Sequence, residues 1–111
     1  MEVIAINKYA RMSPSKAVGL ARRLRGLSVE EALKITDFTK RKAAILIGKT
    51  LRSAVANAVN NAKLSVDNLH VKEAIVDAGP TSKRYWARAR GMFSPVARRT
   101  CHIKIVLCDT K

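Results

Sequence analysis

The sequence predicts an α+β fold: three helices packed on a small three-stranded antiparallel sheet, with a long β-hairpin extending from it. Three observations carry this. Apolar residues recur at helical spacing from residue 14 to about residue 62, and from Leu69 the period changes to two. Between the two later strands lies KRYWARARGMFSPVARR, residues 83 to 99, with six cations, no acid and only Val96 as a branched aliphatic. A segment with so little to bury, bounded by two strands of one sheet, must leave the body and return. The simplest path is an antiparallel hairpin.

Each element has its own justification. Residues 3 to 6, VIAI, read as a short strand. Ser13-Pro14 then makes a helix start, with Ser capping free amides and Pro at a position that needs no donor. Ala17, Leu20, Ala21 and Leu24 follow on one face, while Lys16, Arg22 and Arg23 point elsewhere, and Gly26 stops the helix. A second helix opens at Ser28, where Ser28-Val29-Glu30-Glu31 fits a capping box, and ends near Thr36 to Phe38. The third and longest runs from about Thr39 to Ala62. Ile47, Leu51, Val55, Ala58 and Val59 form its apolar stripe, with Lys42, Lys49 and Arg52 off it. Residues 69 to 77 and 102 to 108 read as strands, with Ile103, Ile105 and Leu107 sharing a face.

If residues 80 to 90 run outward as a strand, alternation puts Arg84, Trp86, Arg88 and Arg90 on one face and Lys83 and Tyr85 on the other. Gly91 allows the turn, and Pro95 suits a tip or an irregular edge. About ten residues per arm at ~3.3 Å each would carry the tip roughly 30 Å from the body. Seven cations and no acid lie between Ala78 and Cys108. An isolated ribbon of this charge is marginal alone and suits a polyanionic surround, with Tyr85 and Trp86 available for base stacking. Two bland readings stand beside this one: a flexible loop with incidental charge, and aromatics that merely pack on the body's edge. Lys40, Arg41 and Lys42 are open in the same way, as a contact surface or a solvated helix start.

Composition narrows the function. The 111 residues suit one domain, residues 1 to 111, with the hairpin extension at about 79 to 101. The 48% apolar content excludes wholesale disorder. Twenty-two Lys and Arg against eight Asp and Glu give +14, which favours a polyanionic partner, nucleic acid above all. No apolar run approaches the ~18 residues of a membrane span, and the start MEVIAINKYA lacks a signal-peptide layout, so a soluble intracellular protein is expected. Cys101 and Cys108, on one strand, face opposite ways and roughly 23 Å apart, too far for a disulfide. His102 beside Cys101 lacks zinc-ligand spacing. No metal and no cofactor are expected.

GPTSKRYWARARG followed by RRTCHIKIVL resembles the end of the bacterial large-subunit ribosomal protein twenty-two family. Members commonly show Asp-x-Gly-Pro, Lys-Arg, a basic tip and Arg-Thr-Ser/Cys-His before the last strand. Asp77, Gly79, Pro80, Lys83, Arg84, Arg88, Ala89, Arg90, Gly91, Arg98, Arg99, Thr100 and His102 match. ARMSPSKA is similar to the family's first turn and LRSAVANAVNNA to its long helix, so the resemblance spans essentially the whole chain. It implies a body bound to 23S-type rRNA on the subunit surface, and a hairpin lining the nascent-peptide tunnel near a constriction shared with large-subunit protein four, close to where macrolides bind. It implies rRNA contacts at Lys8, Arg11, Ser13, Lys16, Arg22, Lys83, Arg84, Arg88, Arg98 and Arg99. The tip would be Arg90, Gly91, Met92 and Phe93, and its partners rRNA, neighbouring ribosomal proteins and the nascent polypeptide. The ribosome would be cytoplasmic or organellar. Many members carry another basic residue after the tip glycine, where this chain has Met92 and Phe93.

Two other functions compete. A small architectural DNA-binding protein could also extend a β-arm, with Pro95 or Phe93 as a wedge, although no dimerisation surface is evident. Catalysis would need clustered carboxylates or a positioned His. Glu30-Glu31 is better explained by capping, and His70 and His102 as satisfied sheet histidines, so no enzyme activity is expected.

Overall fold

A computed structural model describes residues 2–87 and 89–109, with the side chains of Trp86 and residues 93–96 left out of the description. Five strands and three helices follow one another as β1 (Glu2–Ala10), α1 (Pro14–Leu24), α2 (Val29–Phe38), α3 (Lys42–Asn60), β2 (Leu69–Ala78), β3 (Ser82–Ala87), β4 (Phe93–Arg98) and β5 (Cys101–Asp109). A three-stranded antiparallel sheet has the order β1-β5-β2, and β3 and β4 form a separate two-stranded ribbon. The α+β architecture with a hairpin extension is therefore as the sequence predicts.

The helices cover one face of the sheet. Val3, Ala5, Leu69, Val71, Ile103, Ile105 and Leu107 point inward and meet Leu24, Ile47 and Leu51, all buried. The alternation along β5 produces this directly, since its odd-numbered residues from Cys101 to Leu107 are buried. Helix α1 buries Ala17, Leu20, Ala21 and Leu24, the four residues its spacing singles out. Between α1 and α2 the chain is pinned to β2 by two backbone bonds, Gly26 N–H to Val71 O and Val71 N–H to Leu27 O, both 2.8 Å.

Several local expectations need correction. Ser13 has the extended backbone of an N-cap, but its hydroxyl lies 3.0 Å from Ser15 Oγ and bonds no helix amide. Ser28 does cap, accepting from the Glu31 N–H at 3.4 Å. Helix α3 is shorter at both ends than residues 39 to 62. Its stripe is Ala43, Ala44, Ile47, Leu51, Ala54 and Ala58, while Val59 is 40% exposed, one residue off the i, i+4, i+7 line. Strand β1 is longer than VIAI because a bulge between Asn7 and Ala10 carries it on; Tyr9 sits there with φ 60°, and its N–H bonds the side chain of His102 at 3.0 Å instead of a strand neighbour. His102 is thus satisfied, as expected. His70 is not: its buried Nδ1 has no hydrogen-bond partner among the described residues.

Cys101 is buried inward and Cys108 half-buried on the other face, and both are free thiols. Burial pushes the Cys101 thiol pKa up. A second bulge, between Val71 and Glu73 of β2, accompanies an ion pair from Lys72 to Glu2, so β1 and β2 are bridged across the face of β5 that faces away from the helices.

The arm leaves the body where β2 ends and returns where β5 begins. Six residue pairs hold it, from Ser82 opposite Arg98 to Ala87 opposite Phe93, and Tyr85 stands opposite Pro95 on a ribbon with no third strand. A 3-10 turn at Ala89–Gly91 closes it, with Arg90 and Gly91 both left-handed at φ 62° and 70°. Arg90 therefore belongs to the turn and does not share the strand face of Arg84. The molecule measures 64 × 24 × 17 Å, in keeping with an arm that extends outward.

Candidate nucleic-acid interface

The root of the arm is fixed by a compact set of bonds. Gly79 N–H donates to Thr100 O at 2.9 Å, and the Thr100 hydroxyl donates to Pro80 O at 2.6 Å. Any Cβ on Gly79 would lie 2.6 Å from Thr100 Oγ1 and 3.2 Å from His102 Cε1, so only glycine fits between them. The Tyr9 ring meets His102 edge-on, with centroids 5.0 Å apart. The expected sequence Asp77-x-Gly79-Pro80 and the Arg99-Thr100-Cys101-His102 run thus become one joint.

Beside this joint lies a cleft of roughly 930 Å³ between arm and body. From the body it receives Arg11, Ser13, Ser15 and Lys16, at the turn into α1 and its first residues, and Lys42, the first residue of α3. From the arm come Ser82, Arg84, Arg98 and Arg99. Six cations and no carboxylate line it. Lys42 reaches across to the Arg11 carbonyl at 2.5 Å, which ties the start of α3 to the turn before α1. Neither α1 nor α3 has an acid in its first turn, so the partial positive charge of both helix starts adds to the cations.

The electrostatics of this arrangement are one-sided. Two cations ~8 Å apart in water repel by about 0.5 kcal/mol, and a phosphate between them reverses the sign. The chain's eight acids lie elsewhere: Asp37 pairs with Arg52 and Glu2 with Lys72. Lys72 bonding and charge hold the Glu2 carboxyl below its ordinary pKa, and Glu2 raises that of Lys72. Both are spent on the body and leave the cleft unneutralised.

The residues singled out by sequence fall into three groups. Arg11, Ser13, Lys16, Arg84, Arg98 and Arg99 are brought together in the cleft. Lys8, Arg22 and Lys83 are exposed but stand outside its lining. Arg90, Gly91 and Met92 are exposed at the far end of the arm, with Met92 68% exposed. Tyr85 is 67% exposed, which rules out packing on the body's edge. Arg88 lies outside the described residues, as do the side chains of Trp86 and Phe93. Lys42, left open by the sequence between a contact surface and a solvated helix start, lines the cleft, whereas Lys40 and Arg41 do not; Ser15 was missed, and the Ser13-x-Ser15-Lys16 turn held its signal.

Fold and cleft together define a class: small, strongly basic α+β proteins with one cluster of cations in a cleft and one extended β-arm. The family model for Ribosomal protein L22p/L17e matches residues 5–108, and the chain belongs to this family. It is 50% identical over 109 residues to the large ribosomal subunit protein uL22 of Akkermansia muciniphila, covering 98% of this chain and 97% of that one. It is also 50% identical over 111 residues to the protein of the same name from Carboxydothermus hydrogenoformans, covering 100% and 98%. The Thermotoga sp. protein of that name is 48% identical over 98% of this chain and 69% of its own length. No helix among the described residues is long and apolar enough to cross a membrane.

Proposed function

We propose that this chain is a structural rRNA-binding component of the large ribosomal subunit in the cytoplasm, with no catalytic role. The body anchors on rRNA through the cleft, and the arm runs inward so that its tip lines the nascent-peptide tunnel. The observation that carries this reading is the acid-free cleft, in which body and arm contribute cations to one surface. Family membership supports it, and so does the exposure of the tip, whose residues do nothing for the fold. Neighbouring ribosomal proteins and the emerging polypeptide are the further partners.

Binding driven by phosphates has a salt signature. If about ten phosphates are neutralised, log affinity for large-subunit rRNA falls with log salt at a slope of roughly −7 to −9. Affinity independent of salt, or tighter binding to duplex DNA at matched salt, would sink the reading. Within the subunit, anchor and tip separate by mutation. Replacing Arg84, Arg98 and Arg99 with Ala removes three charge-assisted contacts of ~1.5–3 kcal/mol each and weakens incorporation. Deleting residues 92–94 leaves incorporation intact and changes macrolide sensitivity or nascent-chain stalling. The reverse pattern would refute the division.

A further inference from the structure

Phe38, the last residue of α2, is 82% exposed, the most of any large apolar side chain among the described residues. Nothing in the fold needs a ring there. The buried face of α2 is Val29, Ala32 and Thr36, and Phe38 lies off it. Its backbone is nonetheless held. The Thr39 N–H and hydroxyl both donate to Ile35 O, at 3.1 and 2.6 Å, and close the helix directly after it. Just before it, Thr36 stands over Gly48 of α3, and Asp37 is paired with Arg52. An apolar ring is therefore presented to water from a fixed point, the opposite of a mobile side chain that could fold back.

The surroundings say what covers it. Lys34, one turn earlier, shares its face of the helix, and Lys40 and Arg41 follow it; all three are exposed. Asp37, beside the ring, is already paired with Arg52, while Glu30 and Glu31 lie one turn before Lys34 and two turns from Phe38. Between Lys34 and Arg41 the segment carries one exposed ring among three cations, and the next exposed apolar residue is Ile45 of α3. A protein hot spot would gather several apolar side chains; a lone ring with flanking cations fits a base and its phosphates. The patch also continues the cleft, since at most about 15 Å of chain separates Phe38 from the cleft residue Lys42.

We infer that Phe38 is a stacking platform for an unpaired RNA base, with Lys34, Lys40 and Arg41 holding the adjoining phosphates. The inference rests on the rRNA-binding reading above and adds a second contact outside the lining of the cleft.

The test uses the full chain and transcribed large-subunit rRNA at several salt concentrations. Phe38→Ala and Phe38→Leu both weaken binding roughly tenfold with the salt slope unchanged, whereas Phe38→Trp retains it. Lys40→Ala with Arg41→Ala weakens binding and flattens the slope by about 1 to 2. In assembled subunits, ultraviolet crosslinking with mass spectrometry gives a Phe38–nucleotide adduct at an unpaired position. Full affinity in Phe38→Leu, or a Phe38 adduct to a neighbouring protein, overturns the inference and leaves the rRNA reading standing. Failure of the wild-type chain to prefer rRNA overturns both. The circular dichroism of each variant matches wild type, because the ring contributes nothing to the core.

Discussion

Gly79→Ala is the substitution that most directly probes the joint at the root of the arm. The new Cβ would lie 2.6 Å from Thr100 Oγ1, where ordinary contact begins at 3.4 Å, so about 3.4 − 2.6 = 0.8 Å of movement is required. Thr100 cannot rotate away without cost, because one alternative rotamer puts its methyl in the same space and either one forfeits the 2.6 Å bond to Pro80 O. Overpacking costs roughly 1–3 kcal/mol and the lost hydrogen bond about 0.5–1.5. Against this, Gly79 is not among the positive-φ residues, so alanine restricts the unfolded chain and returns ~0.4–1 kcal/mol. The steric effect wins, and the net destabilisation is about 2–3 kcal/mol. Thr100→Ala alone costs about 1 kcal/mol. In the double variant the nearest clash is gone, leaving only the His102 ring at 3.2 Å, so the two effects sum to at least ~1 kcal/mol less than additive. Urea unfolding of the four proteins measures this cycle. Additivity within ~0.4 kcal/mol would show that Thr100 does not define the space beside Gly79, and the account of the joint would fail.

Leu51→Ala, in the middle of the buried face of α3, removes a fully buried side chain and costs ~2–5 kcal/mol in the same urea assay; a cost under ~1 would contradict the packing described. Hydrogen exchange on the free protein is fast between residues 82 and 98 and slow in α3, since the ribbon has two strands and no core; equal protection would mean that the arm packs on the body. Glu2→Gln lowers the melting temperature at neutral pH. Because the folded Glu2 pKa is depressed, the wild-type advantage is full above the unfolded value near 4.5 and vanishes as pH falls through the lower folded value. A difference that persisted at the lowest pH would show that the Lys72 pair is not its source.

Much of this molecule can be read from local chemistry. The helices are legible because their apolar residues repeat on one face, and β5 because Ile103, Ile105 and Leu107 recur at a period of two. The arm is legible from what it lacks, since a charged stretch between two core strands has nowhere to pack. What escapes is whatever depends on a partner distant in sequence. Ser13 looks like a cap, yet its hydroxyl turns to Ser15. The bulge at Tyr9 exists because His102, 93 residues away, accepts its N–H. Lys42 joins the cleft only because α3 begins next to the Arg11 turn. Exposure of Phe38 is invisible to pattern reading, which assumes that a ring at a helix end is buried.

The order of the sheet has a consequence for how the molecule comes into being. Strand β5 is central, flanked by β1 and β2, yet it is the last strand of the five to be synthesised. Until it emerges, β1 and β2 have no ladder partner in that sheet, and the inner faces of all three helices have nothing flat to rest on. The helices can form early from local contacts, but closure of the core waits for pairings that span the chain, Glu2 with Cys108 among them. The arm is complete before the body is. A nascent chain halted after Arg99 would carry every basic residue of the cleft and still lack the strand that gathers them, so the basic cleft and the fold are acquired in a single late step.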